Sequence, residues 1–377
     1  MGEHSLLRRR GGRAFAGCQV RRLGVEEELL LVDPDSGAAK AVGGQVMELS
    51  GKANGFQAEL QSEQLEVATR PCAQLEELAE QIRVGRAALS RGAREVGAEV
   101  AALATSPLGV DPTLSRSRRY RRMAETFGLT THEQLSCGCH VHVEVESDEE
   151  GVAVIDRIRP WLAPLIALSA NSPYWHGRDT GYASYRYQVW SRWPTSGPTE
   201  LFGSSKAYHA LVGELLRTRT LLDTGMIYFD ARLSHHCPTV EVRVPDVCLE
   251  ADDAVLVAAL VRGLVETAAR DWRDGRPADP VSAQVLRLAA WRASRFGLYG
   301  RLLHPLTHTP AAAAEVLRAL LRHVWRTLPE DDAMTTERLL GQVLSRGTGA
   351  GFQRTAFAAR HSMADVSRAS VVRTTAR

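Results

Sequence analysis

The sequence predicts an α+β protein built on a mostly antiparallel sheet. Alternating apolar and polar segments, typical of strands, are interleaved with segments whose apolar residues recur at helical spacing. Their order lacks the regular strand-helix-strand repeat of a parallel sheet. The 377 residues suffice for two domains but also fit one large domain. We expect a loose tail at 1–20, a single domain at 21–365 and a second tail at 366–377.

The first predicted elements alternate between strand and helix. Alternation and β-branched residues predict a strand over Leu23–Val32, which ends at the turn Asp33-Pro-Asp-Ser-Gly37. A second strand is predicted at Gln64–Ala68. Apolar residues spaced three, four or seven apart among Glu, Gln and Arg predict a long amphipathic helix over 72–103, and an Arg-rich helix follows near 115–127.

The later elements begin with a strongly alternating strand at 140–145. Its valines share one face, while His140, His142 and Glu144 share the other. The remaining predicted elements are a helix at 152–169, a long aromatic loop at 171–202, a helix at 206–222, strands at 226–231 and 239–244, and helices from 252 onward. Because long loops without periodicity are usually functional or disordered, and this loop is rich in Trp and Tyr, we expect it to be functional.

The composition is typical of a globular protein without polyanionic partners. The chain has 46 basic and 44 acidic residues, and only Lys40, Lys52 and Lys206 of the basic residues are lysines. No segment approaches the roughly 20 apolar residues of a membrane span, and no apolar core follows the N-terminal arginines as in a signal peptide. We therefore expect a cytoplasmic protein that binds neither nucleic acid nor membrane, with its six cysteines reduced.

Acidic residues inside strand-like segments are the most informative feature, because a carboxylate on a sheet is costly to bury without a cation or a donor. Glu26 and Glu28 share one face of the first strand, about 7 Å apart, and would repel each other unless a metal bridges them. In the strand at 239–244 three valines occupy one face, which leaves Glu241 and Arg243 side by side on the other.

A further acidic group surrounds the second strand. Glu59 and Glu66 would face opposite sides of one regular strand, so they converge only if the chain turns or bulges between them, and Glu63 is an alternative to Glu59. One acidic residue on a strand is ordinarily solvated, but four such segments with apolar reverse faces favour a shared site. Carboxylates with an imidazole suit Mg²⁺ or Mn²⁺.

Other chemistries leave weaker signals. Cys137-Gly-Cys139-His140 suggests zinc, but its spacing is unusual and no second cysteine pair follows. The chain has no phosphate-binding P-loop, and Gly347-Thr-Gly-Ala-Gly351 lacks the preceding strand of a dinucleotide-binding loop. If ATP binds, metal ions and arginines must therefore hold its phosphates. Cys139 and Cys237 stand beside histidines, but sequence adjacency does not establish a nucleophile.

Several short segments together carry a family resemblance. They are Gly24-Val-Glu-Glu-Glu-Leu29, Glu63-Gln-Leu-Glu-Val-Ala-Thr69, Gly138-Cys-His-Val-His-Val143, Leu168-Ser-Ala-Asn-Ser-Pro173, Ala183-Ser-Tyr-Arg186, Thr239-Val-Glu-Val-Arg-Val244 and, more weakly, Ser294-Arg-Phe-Gly-Leu298. In this order they resemble the YbdK-type carboxylate-amine ligases, also called type 2 glutamate–cysteine ligases. The resemblance implies a glutamine-synthetase-like fold, in which a curved antiparallel sheet forms a funnel and helices pack on its outer face.

The resemblance also implies the site residues and their ligands. The expected ligands of two or three Mg²⁺ ions, with Mn²⁺ as an alternative, are Glu26, Glu28, Glu59, Glu66, His140 and Glu241. Arg243, Arg186 and His142 are expected to face the phosphates of ATP or the substrate carboxylate, with the two arginines catalytic.

The implied reaction is ATP-dependent amide formation through an acyl phosphate, with glutamate and cysteine as the expected substrates. Three alternatives stay open: another acid and amine in a specialised biosynthetic pathway, a metal-dependent hydrolase, or a noncatalytic relative that only binds ligand. The presence of Glu26, Glu28 and Glu241 disfavours the noncatalytic alternative. A homodimer is expected only because it is the commonest assembly of soluble enzymes.

Overall fold

The computed structural model describes residues 20–50 and 55–376, and the following elements lie within those ranges. The strands are β1 (Leu23–Val32), β2 (Phe56–Ala58), β3 (Gln64–Ala68), β4 (Glu99–Ala101), β5 (Cys139–Glu144), β6 (Tyr174–Trp175), β7 (Arg178–Asp179), β8 (Ala231–Leu233), β9 (Thr239–Val242), β10 (Arg301–Leu303) and β11 (Pro310–Ala312). The helices are α1 (Gly43–Ser50), α2 (Leu75–Glu95), α3 (Arg118–Phe127), α4 (Leu129–His132), α5 (Asp148–Ile158), α6 (Leu162–Ser169), α7 (Tyr185–Trp190), α8 (Ser205–Arg217), α9 (Ala251–Arg273), α10 (Ala283–Phe296), α11 (Ala313–Val324), α12 (Glu330–Arg346), α13 (Gly349–Arg360) and α14 (Met363–Thr374).

Strand β1 is the centre of the main sheet. It pairs antiparallel with β3 on one side and with β5 and β4 on the other. The path across the sheet is β2-β3-β1-β5-β9-β8, and every pairing along it is antiparallel. The mixed order of strands and helices around this antiparallel sheet confirms the predicted α+β class.

Helices cover one face of the sheet, which we call the reverse face. The nearly all-buried helix α9 contacts β5 and β1, α5 contacts β8 and β9, and α2 contacts β1 and β3. Val25, Val141 and Val242 point to this side and belong to one buried apolar cluster with the core residues of α9. Burial of these branched side chains leaves the polar residues of the same strands on the opposite face, which we call the front face. None of the described helices has the length and apolar character that a bilayer span requires.

A buried ion pair also lies on the reverse face. Glu27 of β1 accepts two hydrogen bonds, of 2.6 and 2.9 Å, from the guanidinium of Arg86 in α2. The same guanidinium donates to the backbone carbonyls of Cys248, Leu249 and Thr374. The exposed fractions are 3% for Glu27 and 1% for Arg86, so protein groups rather than water satisfy both charges.

Two predicted elements had wrong boundaries. The helix expected over 72–103 ends at Glu95, because Gly97 takes a positive φ of 66° and turns the chain, and Glu99–Ala101 continues as β4 beside β1. The strand expected at 226–231 is replaced by a 3₁₀ turn at Thr224–Met226, and β8 starts only at Ala231.

The expected tails have different outcomes. Residues 1–19 lie outside the described residues. The segment expected to be a tail from 366 onward instead holds most of α14, whose first turn is capped by the Ser362 hydroxyl. Val366, Ser370 and Thr374 are buried, and Thr374 accepts a hydrogen bond of 2.7 Å from the backbone N–H of Ala102. Because Ala102, which follows β4, and Arg86 are both hydrogen-bonded to it, α14 is part of the packed structure.

Candidate functional site

A cavity of about 690 Å³ lies on the front face of the sheet. Its floor is formed by polar residues of β1, β3, β5 and β9, and its walls include residues of α3, of the aromatic loop at 171–202 and of the β8–β9 connection. Trp190, Trp193 and Tyr228 provide an aromatic wall. The expectation that the aromatic loop contributes to a site is therefore supported by its position at this cavity.

Strand register places the floor residues next to one another. The aligned pairs are Glu26 with His140, Glu28 with Glu66, and His142 with Glu241. Directly opposed residues of an antiparallel pair have Cβ atoms about 4.5–5.5 Å apart on the same side of the sheet. Once the three strand pairings form, the alternation of side chains along each strand is enough to bring these residues together.

Glu59 joins them through a turn of the chain. Strands β2 and β3 form an antiparallel pair in which Gln57 opposes Glu66, so the chain reverses between Glu59 and Glu66 as the prediction required. Carboxylate oxygens of Glu28, Glu59 and Glu66 all lie within 4.8 Å of one another. Glu63 instead accepts hydrogen bonds of 2.9 and 3.1 Å from the backbone N–H of Thr113. The geometry therefore favours Glu59 over Glu63 as a site residue.

The floor residues form three overlapping groups of ligand atoms, each within 4.8 Å. The groups are Glu28, Glu59 and Glu66; Glu26, Glu66 and His140; and Glu26, His142 and Glu241. Glu66 belongs to the first two groups and Glu26 to the last two. All six predicted metal-binding residues thus face one contiguous cavity, although their role as metal ligands stays a prediction.

Burial and mutual repulsion change the acidity of these carboxyls. Burial, followed by the charge of Glu28, raises the pKa of Glu59 to about 8. Burial, followed by the charges of Glu59 and Glu26, raises the pKa of Glu66 well above its usual range. Burial also raises the pKa of Glu28 against the opposing charge of Arg186. These carboxyls therefore favour protonation unless a cation compensates their charge.

The histidine side of the floor supplies a neutral nitrogen ligand. Burial and the charge of Arg243 lower the pKa of His140 to about 3, which leaves its imidazole neutral. Burial works against ionisation of Glu26, but hydrogen bonding with His140 and His142 lowers the pKa of Glu26 below its usual range. Among the described residues the buried Nε2 of His140 has no hydrogen-bond partner. A free imidazole nitrogen beside crowded carboxylates fits Mg²⁺ or Mn²⁺.

Two arginines approach the site at the end of the sheet formed by β9 and β8. Arg232 of β8 opposes Glu241 in the register and bonds its carboxylate at 2.8 and 3.2 Å, while Arg243 forms a close ion pair with the same carboxylate. Sequence reasoning identified Arg243 but missed Arg232. The alternation in Ala231-Arg-Leu233, which places one arginine between apolar residues, was the signal that could have found it.

Arg186, predicted to contact phosphate or carboxylate, does not line the cavity. It has an exposed fraction of 1%, and its guanidinium lies 5.5 Å from the Trp190 ring. A Cβ at position 138 would collide with this guanidinium, so Gly138 is needed to admit the arginine behind the floor. The position of Arg186 supports an electrostatic influence on Glu28, and its contact with a ligand stays a prediction.

Two of the family-like motifs explain how Arg186 is held. Its backbone N–H donates to the hydroxyl of Ser172 at 2.9 Å, and that hydroxyl donates to Asp246 at 2.7 Å. Asp246 is fully buried and also accepts hydrogen bonds from the Ser184 hydroxyl and the Asn171 backbone N–H. These motif residues therefore position the chain around the site instead of facing the cavity.

The zinc alternative finds no support. Cys137 and Cys139 are buried, and burial raises the pKa of both thiols. No cysteine belongs to a group of three metal-ligating side chains within the described ranges. A thiolate at either position would be strongly disfavoured, so neither cysteine has the character of a ligand or nucleophile.

Comparisons with known proteins agree with this geometry. A model of glutamate-cysteine ligase family 2 matches residues 22–365. A candidate glutamate–cysteine ligase 2-1 of Streptomyces avermitilis is 54% identical over 340 residues, covering 89% of this chain and 94% of the relative. A candidate glutamate–cysteine ligase 2 of Streptomyces coelicolor is 51% identical over 362 residues, covering 95% and 100%.

A solved structure shares the fold. The glutamate–cysteine ligase of Francisella tularensis, crystallised in complex with AMP, superposes with a TM-score of 0.65 at 13% identity, covering 95% of this chain and 90% of the other. At this identity the likeness is informative about the fold alone. It confirms the glutamine-synthetase-like fold that the sequence predicted.

Proposed function

The chain belongs to glutamate–cysteine ligase family 2, and from this premise we propose that it is an ATP-dependent ligase that joins the γ-carboxylate of glutamate to the amino group of cysteine. The observation that carries the proposal is the convergence of five carboxylates and an imidazole, predicted as ligands from the sequence, in one cavity. The names of the family and of its relatives supply the substrate pair.

The proposed cofactor is Mg²⁺, held by Glu26, Glu28, Glu59, Glu66, His140 and Glu241. Bound Mg²⁺ would neutralise charge on the ATP phosphates and on the phosphoryl group in transit. The carboxylates carry the matching negative charge, and strand register holds them in place before any ligand arrives. A preformed arrangement of this kind reduces the reorganisation needed during the reaction.

The proposed reaction needs no enzyme nucleophile. A substrate carboxylate oxygen attacks the γ-phosphorus of ATP, ADP leaves, and the resulting acyl phosphate loses phosphate when the amine nitrogen attacks its carbonyl carbon. We propose that Arg243, whose guanidinium lies 5.3 Å from the Trp190 ring, donates hydrogen bonds to phosphoryl oxygens. His142, hydrogen-bonded to the Thr239 hydroxyl at 3.0 Å, lies on the same floor and is proposed to contact ligand oxygens.

An assay of ADP release tests the proposal. Wild type, Glu241→Ala and Glu144→Gln are compared with ATP, Mg²⁺ and a panel of acids and amines. Glu144 lines the cavity rim but belongs to none of the three ligand groups, so it is a matched control. We expect at least a 100-fold loss for Glu241→Ala and less than a threefold change for Glu144→Gln, in line with removal of one electrostatic group at a reacting centre.

The same panel separates the alternatives. Ligation of another acid or amine would keep the reaction but change the substrates, and the aromatic wall of Trp190, Trp193 and Tyr228 is where we expect such selectivity. Cleavage of an amide without ATP would identify a hydrolase and overturn the ligase proposal. Ligand binding without turnover on any substrate would identify a noncatalytic relative. Homodimer formation and a cytoplasmic location stay predictions, which solution mass measurement and cell fractionation would check.

A further inference from the structure

Glu241 has two arginines on one carboxylate. Its Oε2 accepts a hydrogen bond of 2.8 Å from Nε of Arg232. Its Oε1 accepts one of 3.2 Å from Nη2 of Arg232 and forms the close ion pair with Nη1 of Arg243. Both oxygens are therefore engaged by cationic donors, which is a fork-like arrangement that holds a carboxylate strongly.

The same carboxylate belongs to a ligand group with Glu26 and His142. A divalent cation bound there would lie within about 2.1 Å of a Glu241 oxygen, where the guanidinium protons now point. A divalent cation and a guanidinium so close together repel each other strongly, since both are positively charged. The two arginines therefore oppose cation binding at Glu241, and release of one arginine bond would favour it.

Of the two arginines, Arg232 is better placed to leave the Glu241 carboxylate. It lies on the short strand β8 at the end of the sheet and lines the cavity, and its Nη1 is anchored separately on the Ile227 carbonyl at 2.9 Å. Nε and Nη2 can therefore leave Glu241 while Nη1 keeps the guanidinium at the cavity wall. Arg243 is more confined, because it directly follows β9, two residues after Glu241, and lies against the Trp190 ring.

We propose that Arg232 is an internal counter-cation, which neutralises Glu241 until a divalent cation displaces it and leaves its guanidinium free to bind phosphate oxygens. This inference rests on the metal site of the proposed function. It assigns Arg232 a positioning role, and the sign of its effect on metal affinity distinguishes that role from simple structural support. Loss of a structural support weakens cation binding, whereas loss of a competitor strengthens it.

The test is direct Mn²⁺ binding to the full chain without nucleotide, measured by calorimetry after treatment with chelator. We expect Arg232→Gln to bind Mn²⁺ roughly tenfold more tightly than wild type, which corresponds to about 1.4 kcal/mol. We expect Arg232→Lys, which keeps the charge but loses the fork, to bind roughly threefold more tightly. Arg119→Gln is the matched control, because Arg119 also lines the cavity and pairs with a carboxylate, Asp223, outside the ligand groups.

Further measurements distinguish the outcomes. Equal or weaker Mn²⁺ binding by both Arg232 variants, with binding still weakened by Glu241→Gln, would overturn the counter-cation role alone. An equal gain in Arg119→Gln would also overturn it, because the gain would then reflect net charge. Mn²⁺ binding that is insensitive to Glu241→Gln would overturn both this inference and the proposed role of Glu241 as a metal ligand. If Arg232→Gln is unfolded without metal, Arg232→Lys is compared with wild type instead. A larger Mn²⁺-induced rise in the melting temperature of Arg232→Lys than in that of wild type would then support the proposal.

Discussion

Glu27 and Glu28 are neighbours on β1, yet they have opposite surroundings. Glu27 points to the reverse face, where Arg86 bonds both of its oxygens and protein carbonyls take up the remaining arginine donors. Glu28 points to the front face, where it meets Glu59 and Glu66 at ligand distance. Both side chains are buried, at 3% and 8% exposure, so burial does not account for the contrast.

The contrast distinguishes a carboxylate that the fold itself neutralises, Glu27, from one that a bound cation would neutralise, Glu28. On the reverse face the carboxylate is neutralised by a residue of the chain itself. On the front face burial and repulsion raise the pKa values of Glu28, Glu59 and Glu66, because the described residues around them do not supply enough positive charge. The front face is therefore organised for a cation from solution, and the two faces should respond differently to mutation, pH and metal.

The largest effect on stability is expected at the reverse face. Arg86→Ala should lower the free energy of unfolding by about 3–5 kcal/mol, because Glu27 would stay buried without a partner. The loss should be the same with Mg²⁺ or with chelator. Denaturant unfolding monitored by circular dichroism would measure both values.

The matched variant is Glu27→Leu combined with Arg86→Met, which replaces the ion pair by apolar groups of similar volume. It should recover most of the lost stability, since the cost of the single variant comes from the unpaired charge. A double variant as unstable as Arg86→Ala would show that Arg86 acts mainly through its bonds to the carbonyls.

A front-face substitution should behave in the opposite way. Glu66→Gln removes a carboxyl shared by two ligand groups, so we expect the free energy of unfolding in chelator to rise by about 1 kcal/mol. Ligase activity should fall about 100-fold or more. Unfolding and ADP-release measurements on one preparation would show whether the free energy of unfolding rises while the ligase activity falls. A loss of stability comparable to that of Arg86→Ala would remove the distinction between the two faces.

The smallest expected effect is a pH dependence on the front face. Folding raises the pKa of Glu59 from an ordinary value near 4.5 to about 8. The stabilisation from this group is therefore complete below pH 4.5 and is lost as the pH rises toward 8. In chelator the wild-type melting temperature should fall more between pH 6 and 8.5 than that of Glu59→Gln, and Mg²⁺ should reduce the difference. Identical pH profiles for the two proteins would contradict the raised pKa.

Local alternation was enough to predict which way the floor residues face. His140 and Glu241 each lie between two apolar residues of a strand, and Glu26 follows Val25 on β1. A period of two then assigns each of them to one face of its strand without knowledge of the partner strands. The same rule assigned Glu27 to the other face. It could not supply Arg86, because that arginine is 59 positions away on a helix whose packing depends on the whole fold.

The features that the sequence left undetermined have the same physical origin. The position of Arg186 behind Gly138 depends on hydrogen bonds of Ser172 and Asp246, which join segments far apart in sequence. The convergence of Glu59 with Glu66 depended on a hairpin that strand alternation does not specify. Arg232 lies on a strand of three residues, which is too short for its alternation to stand out. Tertiary pairing decides these features, and a single sequence carries little direct signal for it.

The hydrogen bonds of Thr374 have a consequence for the order of events during synthesis. Thr374 joins Arg86 and Ala102 across 288 and 272 positions of the chain. At roughly 5–20 residues per second, the ribosome needs about 15–60 s between these partners. Until Thr374 emerges, Arg86 and Ala102 lack these hydrogen-bond partners, and the reverse face of the nascent sheet stays incomplete. We expect the reverse face to be the last part of the molecule to resist protease during translation.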